Sequence, residues 1–217
     1  MATIEVISRK SQEKELRKQM ILAAAKELFF EHSYEKTSMD AIAQKVGLAK
    51  GTLYLYFSNK DELYISLLIE GIKLLKQKML QKIRENDNYE DKFIQTLVIA
   101  SYEFSIEQPQ YFSLMMSFQT ESLPKINCIS SDVTSEIEFH HNEIMSLCVS
   151  IVQEGIEKGI IDSSENPFEV VIQIWFSGTG AIVMMQCHYD DIETFCRMSK
   201  LEFMESLAKR FYKSLKK

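Results

Sequence analysis

Lys50, Thr52, Tyr54 and Tyr56 place one ammonium and three hydroxyls within seven consecutive residues. Such a set suits nucleic acid: cations and hydroxyls hold phosphate oxygens, and hydroxyls also reach base edges in the major groove. Leu53 and Phe57 interleave with them one helical turn apart, so the segment has one face to bury and another to present. No rival chemistry is as well defined. The chain carries no nucleophile elbow, phosphate-binding loop, HExxH zinc motif or paired-carboxylate pattern. Gly178-Thr179-Gly180 lacks both the third glycine and the preceding strand of a dinucleotide loop. The adjacent His140 and His141, beside Glu136, Glu138 and Glu143, cannot face the same way on a helix and read as a solvated polar surface. No enzyme activity, metal or cofactor is expected.

Side chains of this kind read a duplex only if they are held rigidly, and the residues around them build the holder. Thr37 has the character of a helix N-cap, with Asp40 three residues on as in a capping box. Ala41, Ile42 and Val46 supply an apolar face. Gly47 stands where that helix must end, because glycine accepts the left-handed conformation common at a helix C-terminus. Lys50 to Phe57 restarts a helix. The whole, Thr37 to Phe57, reads as a helix-turn-helix whose second helix can lie in the major groove while the first crosses the backbone. A preceding helix from about Ser11 to Glu31, with Ile21, Ala24, Ala25 and Leu28 inward, completes a three-helix head over residues 1–60.

Arg17 to Leu67 resembles the DNA-binding domain of TetR-family transcriptional regulators. The resemblance is carried by Ile21 to Ala25, Leu28-Phe29, Tyr34, Thr37-Ser38, Ile42-Ala43, Val46-Gly47-Leu48, Lys50 to Tyr54, Tyr56-Phe57 and Lys60 to Leu63. It implies an all-helical homodimer that binds palindromic operators and releases them when a small molecule enters the larger C-terminal domain. It also implies that Thr37 and Lys60 sit near phosphates and that Gly51 permits close backbone approach. Three positions depart from the pattern. Ser33 replaces a common glycine, Ala49 replaces a serine that would cap the next helix, and Leu55 stands where many members carry His or Tyr.

Composition agrees with an all-helical chain. Seven glycines and three prolines in 217 residues are too few for the turns of an all-β protein. Residues 1–60 hold ten Lys/Arg against seven Asp/Glu, and residues 61–217 hold fifteen against twenty-four, which together give the net −6. A mildly basic head on an acidic body fits a DNA reader. The run Arg9, Lys10, Lys14, Arg17 and Lys18 is either a phosphate-contacting arm or a solvated tail. Four cysteines without a C-x-x-C pair, and no signal-peptide pattern, point to a cytoplasmic protein with reduced thiols. The longest apolar run, Val170 to Met185, is shorter than the ~20 residues of a membrane span and reads as a buried helix, with no membrane partner expected.

Beyond the head, residues 61–217 form an effector-binding and dimerisation body, giving about nine helices in all. A long helix opens at Asn59 with Glu62 in a capping box and runs to about Arg84. Others follow over about Tyr89–Glu107, from Pro109, over Ser131–Lys158, Pro167–Tyr189 and Asp191–Leu215, with Ser122 to Ile129 as a loop. Tyr102, Phe112, Met115, Met116, Phe118, Trp175 and Met184 are the adaptable apolar side chains from which an effector pocket would be lined, and an apolar effector would suit them. Ile174, Gly178 and Ala181 on one helix, and Leu201, Met204, Ala208 and Phe211 on the next, give two seams for a partner subunit.

The reading is therefore a ligand-responsive transcriptional repressor that binds an inverted repeat of double-stranded DNA as a homodimer and leaves it when an apolar effector binds. An activator or an effector-independent DNA-binding protein stands beside it. A helical carrier or enzyme is the reading from another class, and it would show no salt-sensitive, sequence-selective DNA affinity.

Overall fold

The computed structural model describes residues 9–120, 131–187, 194 and 196–216. The expected Ser122–Ile129 loop, Cys128, His188, and the expected helix boundaries at Tyr189 and Asp191 lie outside the described residues. Helices account for nearly all of the rest: α1 (Arg9–Lys36), α2 (Met39–Val46), α3 (Lys50–Leu53), α4 (Lys60–Glu85), α5 (Tyr89–Ile94), α6 (Ala100–Glu107), α7 (Pro109–Thr120), α8 (Ser131–Glu157), α9 (Pro167–Cys187) and α10 (Lys200–Ser214). A π-helical turn, Gln95–Ile99, joins α5 to α6 into one rod. With that rod taken once there are nine helices among the described residues, as expected for an all-α chain. The one extended pairing there is an isolated antiparallel bridge between Ile161 and Lys216.

The chain divides into two compact units, residues 1–70 with 117–137, and residues 71–116 with 138–217. In the first, α1 packs on α2 and α2 on α3. Ile21, Ala25, Ile42, Leu53 and Leu63 are fully enclosed there, so the start of α4 belongs to the head's core and the unit runs on to residue 70. Phe29 stacks on Tyr34, and Tyr64 of α4 sits edge-on to both. α2 is capped at both ends. Ser38 Oγ accepts from Ala41 N at 3.1 Å, and Gly47 (φ 76°) closes the helix while Leu48 N reaches back to Ala43 O at 2.9 Å. The cap is thus Ser38 rather than Thr37, one residue later than the spacing predicts.

α1 breaks at Ser33, whose φ of 71° and ψ of 167° lie where glycine alone is comfortable. The glycine missing from the family pattern is therefore replaced by a strained serine. Ser33→Gly is expected to stabilise the protein by about 1 kcal/mol, raising the melting temperature by about 2–4 °C. The lost hydrogen bond, from Ser33 Oγ to a Glu35 carboxylate oxygen at 2.9 Å, is exposed and offsets little. A lower melting temperature by calorimetry would show that the serine contributes more than its backbone costs.

In the second unit the α5–π–α6 rod is central, with α9 and α10 packed along it. Tyr89, Phe93 and Tyr212 form an aromatic cluster with centroids 5.3 to 6.2 Å apart. α10 starts at Lys200 behind a full capping box of Ser199 and Glu202. By length and composition, Pro167–Gln186 in α9 could cross a membrane, contrary to the length read from the sequence. The helix extends past both ends of the Val170–Met185 run because Pro167 opens it and Asn166 caps it, its side chain accepting from Phe168 N at 3.0 Å. Only a third of its most apolar window is buried, so α9 is not the enclosed helix that its composition suggested.

Candidate nucleic-acid interface

The expected reading helix is one α-helical turn, Lys50–Leu53, followed by turns through Tyr56 rather than a regular helix to Phe57. Its start has no side-chain cap, as the alanine at position 49 implies. The backbone ladder continues in short range, Tyr56 N to Leu53 O at 3.0 Å and Phe57 N to Leu53 O at 3.1 Å. Leu53 and Phe57 are fully buried, and these two anchors fix the rotation of everything between them. Lys50, Gly51, Tyr54 and Leu55 face solvent, while Thr52 and Tyr56 are half-buried. A Cβ built on Gly51 would meet nothing within 4 Å, so the surface beside it is open to a close approach.

Of the seven residues expected to touch DNA, Lys50, Gly51, Thr52, Tyr54 and Tyr56 thus come together on one short element. Thr37 does not join them. It is 3 % exposed, and its hydroxyl donates to Ser33 O at 2.8 Å and Leu28 O at 3.2 Å, tying the broken end of α1. Its side chain is turned inward, and the exposed capping hydroxyl at this helix start is Ser38. Lys60 is also engaged internally. Its Nζ donates to Tyr34 O at 2.8 Å and lies 3.9 Å from the centroid of the Tyr34 ring. Burial holds this ammonium below the usual lysine range, despite the nearby Asp61 and Glu35 charges. Tyr34 donates in turn to Asp61, and burial together with that bond raises the phenol well above its ordinary value.

Lys50 forms an ion pair that the sequence reading did not foresee, its Nζ 2.7 Å from Asp40 Oδ1. The hydrogen bond to Asp40 raises the Lys50 pKa. The two residues are ten apart on different helices, so no local spacing rule joins them. An exposed pair of this kind adds little to stability, yet it cancels a charge on the expected reading face. Asp40→Asn is expected to tighten binding to any duplex about 3- to 10-fold and to steepen its salt dependence, each freed phosphate contact adding ~0.9 to the slope of log affinity against log salt. Titration at several salt concentrations measures both, and an unchanged slope would place the pair away from the phosphates. The basic run Arg9 to Lys18 belongs to α1 from its first described residue, so it is a helix end rather than an extended arm. Lys18 Nζ sits 5.6 Å from the Phe57 ring centroid.

In the second unit the expected effector residues separate. Tyr102 and Phe112 are buried, and Met115, Met116 and Trp175 are half-buried. Met184 is 57 % exposed on the outer face of α9 and lines no interior, and Phe118 belongs to the first unit. Thr96, in the π-helical turn, is fully enclosed and its hydroxyl has no hydrogen-bond partner among the described residues. A widened helical turn with an unsatisfied buried hydroxyl is a pattern found at functional sites, and no periodicity in the sequence announces it. The expected dimer seams are largely turned inward. Ile174, Gly178, Met204 and Ala208 are buried within the protomer itself, while Ala181 and Phe211 are half-buried and Leu201 remains exposed. The free face of α9 instead carries Phe176, Ser177, Gly180 and Met184. Cys148 is buried and its thiol is pushed up to about 12, leaving it unreactive. His140 Nδ1 lies 2.8 Å from Glu143 Oε2, and Glu143 also pairs with Lys76.

Residues 21–67 match the model of the bacterial regulatory proteins of the tetR family. The fatty acid metabolism regulator protein of Bacillus subtilis is 30% identical over 146 residues, covering 65% of this chain and 69% of that one. The chain belongs to the TetR family. It is a DNA-binding transcriptional regulator. Solved structures extend the likeness of fold across the TetR body. A protein of unknown function from Rhodococcus sp. RHA1 superposes with a TM-score of 0.74 at 16% identity, covering 93% of this chain and 96% of that one. FadR from Bacillus subtilis, solved with stearoyl-CoA, gives 0.64 at 20% identity, covering 91% and 96%. In this TetR-family chain the head is thus placed by sequence likeness, and the body by fold.

Proposed function

We propose that this TetR-family regulator is a cytoplasmic repressor that binds an inverted-repeat operator as a homodimer and leaves it when a largely apolar effector, of the long-chain acyl thioester class, enters the body. The observation that carries the DNA half is the exposed Lys50, Gly51 and Tyr54 surface on an element fixed by two buried anchors. Thr52 and Tyr56 flank it, and Ser38 takes the phosphate role expected of Thr37. The effector half is supported by similarity to a fatty acid metabolism regulator and by the stearoyl-CoA held by a protein of the same fold. Tyr102 and Phe112 are buried and Met115, Met116 and Trp175 half-buried, so these are the expected pocket residues that remain candidates, and Thr96 offers a buried hydroxyl for a polar atom of the ligand. Such a ligand acts only through unequal affinity for the bound and released conformations.

The dimer face is the outer side of α9, around Phe176, Gly180 and Met184, extended by the exposed Leu201 of α10. An exposed apolar stripe on a helix otherwise able to cross a membrane needs covering, and a second copy covers it without desolvating charge. Phe176→Glu is expected to shift the protein to monomer in sedimentation and to weaken binding to an inverted repeat at least tenfold while half-site binding persists. Selection of sites from random duplex DNA at near-physiological salt tests the whole reading. An enriched inverted repeat, released by stearoyl-CoA, supports it, and a folded dimer that enriches nothing refutes it. An enriched site that binds more tightly with the acyl-CoA would favour an activator or corepressed form.

A further inference from the structure

We infer that Leu55 is a base-reading residue that recognises the C5 methyl of thymine in the major groove. The inference rests on the reading above, in which this surface enters that groove. Leu55 is 77 % exposed, more than any other large apolar side chain among the described residues. Its orientation is imposed by its neighbours. Position 55 is exposed midway between Leu53 and Phe57, and those two are fully buried. Its backbone N–H is bonded to Thr52 O at 3.2 Å, which holds the turn closed. Gly51, four residues before it, is also exposed and presents no side chain. A base edge can therefore descend onto Leu55 without meeting an intervening group.

The chemistry then selects the occupant. A leucine gains nothing from phosphate oxygens or from hydrogen-bonding base edges. Among the four bases, thymine alone shows an apolar group in the major groove. The polar competition is also weak here, because Lys50 is paired with Asp40 while Thr52 and Tyr56 are half-buried. Between the two anchors Tyr54 and Leu55 are thus the exposed side chains, and neither is in an ion pair among the described residues. Enclosing one methyl against a leucine contributes about fourfold in affinity per half-site, or about 15-fold when both half-sites of an inverted repeat change together.

The test uses the full-length protein and the operator enriched by selection. Each thymine is replaced symmetrically by deoxyuridine, which removes the methyl and leaves base pairing intact, and affinities are titrated at one salt concentration. The expected result is one thymine position per half-site at which the wild-type protein loses about 15-fold. At that position Leu55→Ala should lose less than twofold and should accept other bases, with its salt dependence unchanged. The variant removes an exposed side chain and leaves both anchors in place. Wild-type affinity that is indifferent to every deoxyuridine overturns the inference while leaving the operator reading intact. A methyl dependence that survives in Leu55→Ala overturns it equally, by assigning the methyl to another residue. Failure to enrich any operator instead removes the groove reading itself, and the inference with it.

Discussion

Gly155→Ala is expected to lower the melting temperature by about 6–12 °C, the largest stability loss from a single methyl in this chain. A Cβ at this position would lie 2.1 Å from the Tyr89 hydroxyl oxygen, 2.5 Å from its Cζ and 2.9 Å from Ile161 Cδ1. A tyrosine ring could in principle swing away, but this one is held. It is buried, packed against Phe93 and Tyr212, and its hydroxyl donates to Ile151 O at 2.8 Å. Moving it breaks a buried hydrogen bond and opens the aromatic cluster, at a cost of about 3 kcal/mol. The backbone cannot retreat either, since Gly155 O accepts from Ile160 N at 2.9 Å and Ile161 N at 3.1 Å. These bonds hold the turn that carries the Ile161–Lys216 bridge and the Asp162 N to Leu215 O bond. Thermal unfolding of the single variants and of Gly155→Ala combined with Tyr89→Phe separates clash from general damage. Removing the hydroxyl relieves the shortest contact, so the double variant should be more stable than the sum of the two losses requires. Strict additivity would show that the ring moves aside freely.

Tyr54→Ala is expected to weaken operator binding about 100-fold at near-physiological salt, the largest loss for any residue of the reading face. Tyr54 is 43 % exposed on a segment whose rotation is fixed by Leu53 and Phe57, so its ring is presented without being needed for the core. A lost contact of about 1–2 kcal/mol per half-site is doubled by the symmetry of a dimer on an inverted repeat. Lys50→Ala should behave differently. Its ammonium must leave Asp40 before it serves a phosphate, so its effect on affinity is smaller. In the Asp40→Asn background it should remove the ~0.9 per half-site that the freed lysine adds to the salt dependence, whereas Tyr54→Ala leaves that slope unchanged. Titrations of both variants on the selected operator, and on an unrelated duplex, check this division of roles. A slope change for Tyr54→Ala would mean that the tyrosine orders a phosphate contact rather than a base.

How much of this was legible in the chain varies with the range of the interaction. The head is written locally. Gly47 ends α2 in the left-handed conformation, Ala49 leaves α3 uncapped, Leu53 and Phe57 anchor it, and Ser33 takes the strained angles of the glycine it replaces. Each of these follows from backbone sterics or from residues within one or two helical turns, which is the distance over which sequence patterns are readable. Thr37 and Ser38 mark the edge of that legibility. Both are good caps, and only the packing against Leu28 and Ser33 decides which hydroxyl is buried and which caps α2.

What tertiary structure decided is which way each helix turns and which charges meet. The alternating three and four spacing of Leu201, Met204, Ala208 and Phe211 records a packed seam, but a seam is the same pattern whether its partner is α9 of the same chain or a helix of another. In the fold Met204 and Ala208 are buried inside the protomer, while Phe176 and Met184 are exposed. The Asp40–Lys50 pair and the Lys60 contact with Tyr34 join residues ten and twenty-six positions apart, beyond any periodic signal. The sequence by itself determined an all-helical TetR-family regulator and the exposed segment around Lys50 and Tyr54 proposed to read DNA, because helix periodicity, caps and turn residues act locally. The usable face of each body helix, and the charge left on the reading face, were decided only by the folded chain, because burial and ion pairing depend on neighbours that the linear order does not name.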